Sequence, residues 1–228
     1  MSHYIYIFGS ICRGEVSTDS DIDLLAIVDG FDSRFDPHVY SVYSERRIAQ
    51  IWHEGNPFAW HLWNESRLVF SCDGTDILKE LGKPSRYENS ATDCEKFHRL
   101  FKDAFESFTS SSDTSVFDLS TMFLAIRNFA TCFMLGVYEQ ACFSRDSALR
   151  MGNESVPLAP DVFDLLLRAR LLSTRAIGIR ITDEECRDRL LAFQLVDDWM
   201  TRLRNDGFAR IRVQQSHGSA ETPASCRK

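Results

Sequence analysis

The sequence predicts an α+β protein in two parts: a small domain mixing strands and helices over residues 1–88, then an all-helical bundle over 89–207. A disordered tail is expected at 208–228. Three observations predict this. Short β-branched and aromatic runs are confined to the stretch before Tyr87. Beyond it, long helical periodicities take over. The length of 228 residues suits one large domain or two small ones, with room for a sizeable core.

Residues 4–8 (YIYIF) and 22–28 (IDLLAIV) read as strands, and VYSVY at 39–43 alternates as a third. Ser44 caps a helix over 45–54 that ends at Gly55. Asn56-Pro57 opens a second helical stretch, FAWHLWNES, followed by a strand at 67–70. Residues 75–81 make a short helix that Gly82 and Pro84 stop. Over 91–108, Phe97, Leu100, Phe101, Ala104, Phe105 and Phe108 share one helical face. A polar TSSSDTS separates it from a helix over 116–138 that is apolar nearly all round, the mark of a bundle centre. Pro157 and Pro160 precede a helix over 161–176, and Thr182-Asp183-Glu184-Glu185 opens a last long one, ending near Gly207.

The net charge of −7 argues against a protein held on nucleic acid by its overall field, although a local basic patch stays open. The seven cysteines include no CxxC pair, which points to reduced thiols rather than a disulfide scaffold or structural zinc. No apolar run approaches the roughly 18 residues a bilayer span needs. Nor does the N-terminus carry a signal peptide's basic and apolar regions. The expectation is a cytoplasmic protein with no membrane partner.

Two acids in an apolar strand need explaining. Asp21 and Asp23 are two apart, so in a strand they project side by side. Adjacent carboxylates repel unless a cation neutralises them, and a divalent metal does so. Hard oxygen ligands with phosphate nearby favour Mg²⁺. Upstream, Gly9-Ser10 directly follows a strand. Gly9 allows close backbone approach, while the Ser10 hydroxyl and free N–H groups can hold a phosphate. Arg13 adds a cation and Gly14 a second flexible point.

The stretch FGSICRGEVSTDSDIDLLAIV resembles the DNA polymerase β nucleotidyltransferase superfamily, most closely its minimal and drug-modifying nucleotidyltransferases. The firm resemblance covers residues 4–28, with a looser one to about residue 85. It implies a small mixed-sheet domain of the polymerase-β type. It also implies Asp21 and Asp23 as catalytic metal ligands for Mg²⁺ on an NTP, ATP foremost. Gly9 and Ser10 would grip the β- and γ-phosphates, with Arg13 as a further nucleotide-binding residue. An acceptor hydroxyl would attack the α-phosphorus and pyrophosphate would leave.

The family usually adds a third carboxylate from a later strand. The matching HVYSVYS has none; Asp36 lies just before it and Glu45 just after. His61 and Glu65, four apart on one helix, form either a base near the substrate or an intrahelical pair. In the helical part, Arg127-Asn128 sits among apolar residues. It reads as a structural ion pair, with Asp164 a candidate partner, or as a phosphate contact together with Arg168, Arg170 and Arg175. A nucleotidyltransferase followed by a helical bundle also resembles the pairing with HEPN ribonucleases. The Arg-then-His helix signature of those ribonucleases lacks its His here, so no RNase activity is expected. The apolar 116–138 helix could supply a homodimer face. The leading expectation is NMP transfer to a small-molecule, protein or RNA hydroxyl. The other is a non-catalytic nucleotide-binding regulatory or antitoxin-like module.

Overall fold

The structure is a computed structural model that describes residues 3–15, 22–110, 115–187 and 189–218. The described chain divides into two compact units. The first runs to Glu88 and includes Glu139–Arg145; the second comprises Asn89–Tyr138 and the chain from Asp146 on.

In the first unit, β1 (His3–Phe8) leads into a 3-10 turn (Gly9–Arg13), and β2 (Asp23–Val28) returns antiparallel beside β1. The chain then forms β3 (Tyr40–Ser44), α1 (Glu45–His53), α2 (Pro57–Glu65), β4 (Ser66–Ser71) and α3 (Ile77–Glu80). The strand order is β3-β2-β1-β4, with β3 parallel to β2 and β4 antiparallel to β1, a mixed sheet. A short crossover from β2 to β3 has no helix. Instead, buried Phe35 from that link covers Ala26 and Val28 on one sheet face. On the other face, Tyr4, Tyr6, Phe8, Leu25 and Ile27 meet Ile48, Ile51, Trp52, Ala59 and Leu62 of α1 and α2. The two tryptophan N–H groups nearby find carbonyls: Trp52 donates to Gly82 at 2.7 Å and Trp60 to Ser85 at 3.1 Å.

Local signals place the helix starts. Ser44 Oγ accepts the Arg47 N–H, and Asn56 Oδ1 accepts that of Phe58 with Pro57 in the first turn. β2 begins one residue later than expected, at Asp23, with Ile22 exposed.

The second unit is helical: α4 (Ser90–Ser110), α5 (Ser115–Tyr138), α6 (Pro160–Arg175), α7 (Asp183–Arg187) and α8 (Leu190–Gly218), with two short 3-10 turns between α5 and α6. α5 is the centre, burying residues on every side. By length and composition it could cross a bilayer, contrary to the sequence expectation, but 72% of its most apolar window is buried in the protein. That is the burial of a core helix.

Three expectations change here. The buried stripe of α4 runs through Cys94, His98, Phe101, Ala104 and Phe108, with Phe97 only half-buried. His98 occupies the stripe because its ring is satisfied on both sides: Nε2 lies 2.6 Å from Asp197 Oδ1 and Nδ1 2.7 Å from an Arg204 Nη1. The expected single helix from Thr182 is instead short α7 followed by α8. Finally, α8 does not stop at Gly207 but continues to Gly218, into the span expected to be disordered. Gly207 is a packing residue: a Cβ there would stand 2.4 Å from Phe133 Cε2 of α5.

Candidate active site

Gly9 and Asp23 come together where β1 ends, with Ser10 and Arg13 following in the 3-10 turn. Phe8, last in β1, pairs with Asp23, first in β2, so the ladder itself sets the turn into Gly9 beside the Asp23 carboxylate. Gly9 has φ of +79°, in the left-handed region that side chains disfavour, and a Cβ there would lie 2.6 Å from Asp23 Oδ2. Only glycine meets both conditions. Ser10 follows, half-buried, its carbonyl accepting the Glu15 N–H at 3.0 Å. Gly14 ends the turn with φ of +73°.

Asp23 is exposed. Asp21, the other acid of the expected pair, lies outside the described residues. Among the described residues, no three Asp, Glu, His or Cys side chains gather into a metal-binding group. The chemistry nonetheless suits a hard divalent cation: Asp23 is an exposed carboxylate residue, and the missing Cβ of Gly9 lets the backbone approach it closely.

The sheet register separates the two candidates for a third acid. Leu24 pairs with Tyr40 and Val28 with Ser44, in parallel, so Val39 falls level with Asp23. Glu45 follows Ser44 at the opposite end of the sheet, roughly 20 Å from Asp23 at ~3.3 Å per residue. Asp36 stands at the Asp23 end, exposed, and its Oδ1 accepts the His38 N–H at 2.9 Å. Position favours Asp36 over Glu45.

Arg13 is more enclosed than the sequence suggested. One Nη1 donates to Glu65 Oε2, and Nε donates to Glu15 Oε2 at 2.8 Å. Burial pulls the pKa of this guanidinium down, but the Glu15 hydrogen bond and the charge of Glu65 outweigh it, and the net shift is upward. Glu65 ends α2, buried where α2 passes into β4. His61, one turn earlier, brings Nε2 within 2.9 Å of the same Oε2. Yet that buried nitrogen makes no hydrogen bond, so the proximity lacks hydrogen-bond alignment. The imidazole stacks on Phe143 at 4.6 Å and meets Phe8 edge-on at 5.6 Å. Cys12, between Ser10 and Arg13, has its thiol pKa raised by burial and donates weakly to the Ile7 carbonyl.

Sequence reasoning singled out Gly9, Ser10, Arg13 and Asp23 and gave no reading of Glu15, which pairs with Arg13. It weighed Glu65 only with His61, not with Arg13. It also assigned Phe143 to the bundle, because nothing local announces that residues 139–145 belong with the first unit.

In the second unit Arg127 is half-buried on α5, and its carbonyl accepts the Ser147 hydroxyl at 3.2 Å. Asp164 is exposed on α6. Arg168 pairs with Glu185, while Arg170 reaches Ser120 Oγ at 3.5 Å. Burial, then the charge of Arg175, lowers the Arg170 pKa.

Residues 4–87 match the family described as a nucleotidyltransferase domain. No curated protein matches the chain. Among solved structures, one similar chain is the spectinomycin adenyltransferase AAD(9) from Enterococcus faecialis, crystallised with ATP and spectinomycin. The identity is 10% and the TM-score 0.47, over 88% of this chain and 92% of that one.

Proposed function

We propose that this chain, whose residues 4–87 match the nucleotidyltransferase domain family, moves a nucleoside monophosphate from an NTP, ATP foremost, to an acceptor hydroxyl. The acceptor is a small molecule, a protein or an RNA. One observation carries the reading: the β1–β2 ladder presses Gly9 against the Asp23 carboxylate so closely that a Cβ would fill the space. A phosphate-gripping turn and a metal-binding carboxylate thereby share one point at the sheet end.

In this reading Asp21 and Asp23 hold Mg²⁺. The Ser10 hydroxyl and the backbone at Gly9 take the β- and γ-phosphates, and Arg13 adds a guanidinium to the same anion. Bound Mg²⁺ supplies charge neutralisation for the triphosphate. The acceptor oxygen forms a bond to the α-phosphorus in line as the bond to the pyrophosphate oxygen breaks. The protein contributes chiefly by holding these groups in place. Asp36, at the Asp23 end of the sheet, is the described acid best placed to take the acceptor's proton.

A second reading, a nucleotide-binding module without turnover, is favoured by one observation. β3 brings Val39, not an acid, level with Asp23. Incubation with an NTP labelled at the α-phosphate, with Mg²⁺ and panels of proteins, RNAs and hydroxylated metabolites, tests the pair. Label on an acceptor, lost in Asp23→Asn, supports transfer. Tight NTP binding with no labelled acceptor supports the second reading.

A further inference from the structure

Arg13 meets two carboxylates of different character. The first, Glu65, has a side chain only 11% exposed, enclosed at the α2–β4 junction with His61 close to the same oxygen. Phe143 and Phe8 flank that imidazole. A buried carboxylate stripped of its cation is strongly disfavoured, so this contact persists. The second, Glu15, sits two residues beyond Arg13 with a side chain 37% exposed. With the Glu15 carboxylate the more exposed of the two, solvent or another anion can reach this pair more readily than the Glu65 contact. A guanidinium carries five N–H donors whose fork suits phosphate oxygens as well as carboxylates. The donor at Nε is therefore occupied by a replaceable anion, while Nη1 is held by a fixed one.

Resting on the nucleotidyl-transfer reading, we propose that Glu65 anchors Arg13 beside the Gly9-Ser10 turn and that Glu15 is a built-in anion on its Nε, displaced by the incoming triphosphate. Glu65 is a positioning residue acting through Arg13. Glu15 competes with nucleotide, setting how much triphosphate is needed to fill the site. It also satisfies the Arg13 donor when no nucleotide is present.

Calorimetric titration of MgATP and of magnesium tripolyphosphate into the full chain tests this; the second probe isolates the phosphates from base and ribose. Glu15→Gln should bind both probes about 2- to 5-fold tighter, the worth of an exposed ion pair. Glu15→Ala, a second variant in case the first folds poorly, should gain in the same direction. Glu65→Gln should bind both roughly tenfold or more weakly, because its anchor on Arg13 is lost. Structural damage does not tighten binding, so the gain at Glu15 separates displacement from a merely structural pair. In an Arg13→Met background the Glu15→Gln gain should vanish. A gain of equal size there would show Glu15 acting as a diffuse negative field and overturn the proposal. So would unchanged or weaker binding by both Glu15 variants in a wild-type background that itself binds. A wild type that binds neither probe would instead sink the nucleotidyl-transfer reading, and this inference with it.

Discussion

Gly9 and Asp23, at the end of the β1–β2 ladder, are the pair on which the proposed site rests. Gly9 occupies a backbone region that costs an alanine about 1–2 kcal/mol, and its Cβ would also push the Asp23 carboxylate aside. Gly9→Ala should therefore lower stability by about that amount and MgATP affinity by roughly tenfold or more. Calorimetry beside a urea melt checks both; full affinity in the variant would remove Gly9 from the site. Asp23 is exposed and pays no burial penalty, so Asp23→Asn should leave the melting curve nearly unchanged, within roughly 0.5 kcal/mol. If Asp23 holds the metal as proposed, label transfer should fall on the order of 10²-fold. A variant that unfolds would instead mean that Asp23 holds the sheet end together.

Between elements, polar contacts decide how helices seat. α7 opens with reciprocal bonds: the Glu185 N–H donates to Thr182 Oγ1, and the Thr182 N–H donates to Glu185 Oε2. The same carboxylate pairs with Arg168 of α6. The Arg168 hydrogen bond first, then those from Thr182, lower the Glu185 pKa to about 2. A carboxylate depressed on folding stabilises the fold at pH above its ordinary value of 4.5 and loses that contribution as pH falls towards 2. Melting temperature measured from pH 5 to pH 2 should fall less steeply in Glu185→Gln than in wild type. Equal slopes would remove this contact from the acid response. His98 ties α4 to α8 through Asp197 and Arg204. Its replacement in His98→Leu should cost about 1–3 kcal/mol in a urea melt, because both partners lose a hydrogen bond at a buried site.

Across the second unit, α5 is the element on which the others converge, and glycine is what lets them come near. Gly136 of α5 lies against Ser90 of α4, and Gly207 of α8 against the ring of Phe133. Gly207→Leu should destabilise the protein by about 1–3 kcal/mol through overpacking, and Phe133→Leu in the same chain should recover part of it. Chemical denaturation of the single and double variants reads the coupling; strict additivity would mean that the two residues do not share the contact. Phe193 and Trp199 of α8 complete the seam against Phe105, Phe108 and Phe129.

The sequence by itself determined what is written locally. Strand runs, helix starts at Ser44 and Asn56, the glycine turn at Gly9 and the acid at Asp23 all depend on neighbours a few residues apart. The α+β division was legible for that reason. Only tertiary structure decided the remainder. The parallel register of β3 sets Glu45 at the end of the sheet away from Asp23, while the Asp36 carbonyl accepts the Tyr40 N–H beside the Asp23 end. Residues 139–145 join the first unit, where Phe143 stacks on His61. Gly207 looked like a helix stop because glycine often is one, yet within α8 it serves the ring of Phe133. Arg13 looked like an open phosphate contact, yet Glu65 lies 52 residues away in the chain and beside it in space. Which groups meet across such distances depends on strand register and side-chain volume, quantities that sequence neighbours do not carry.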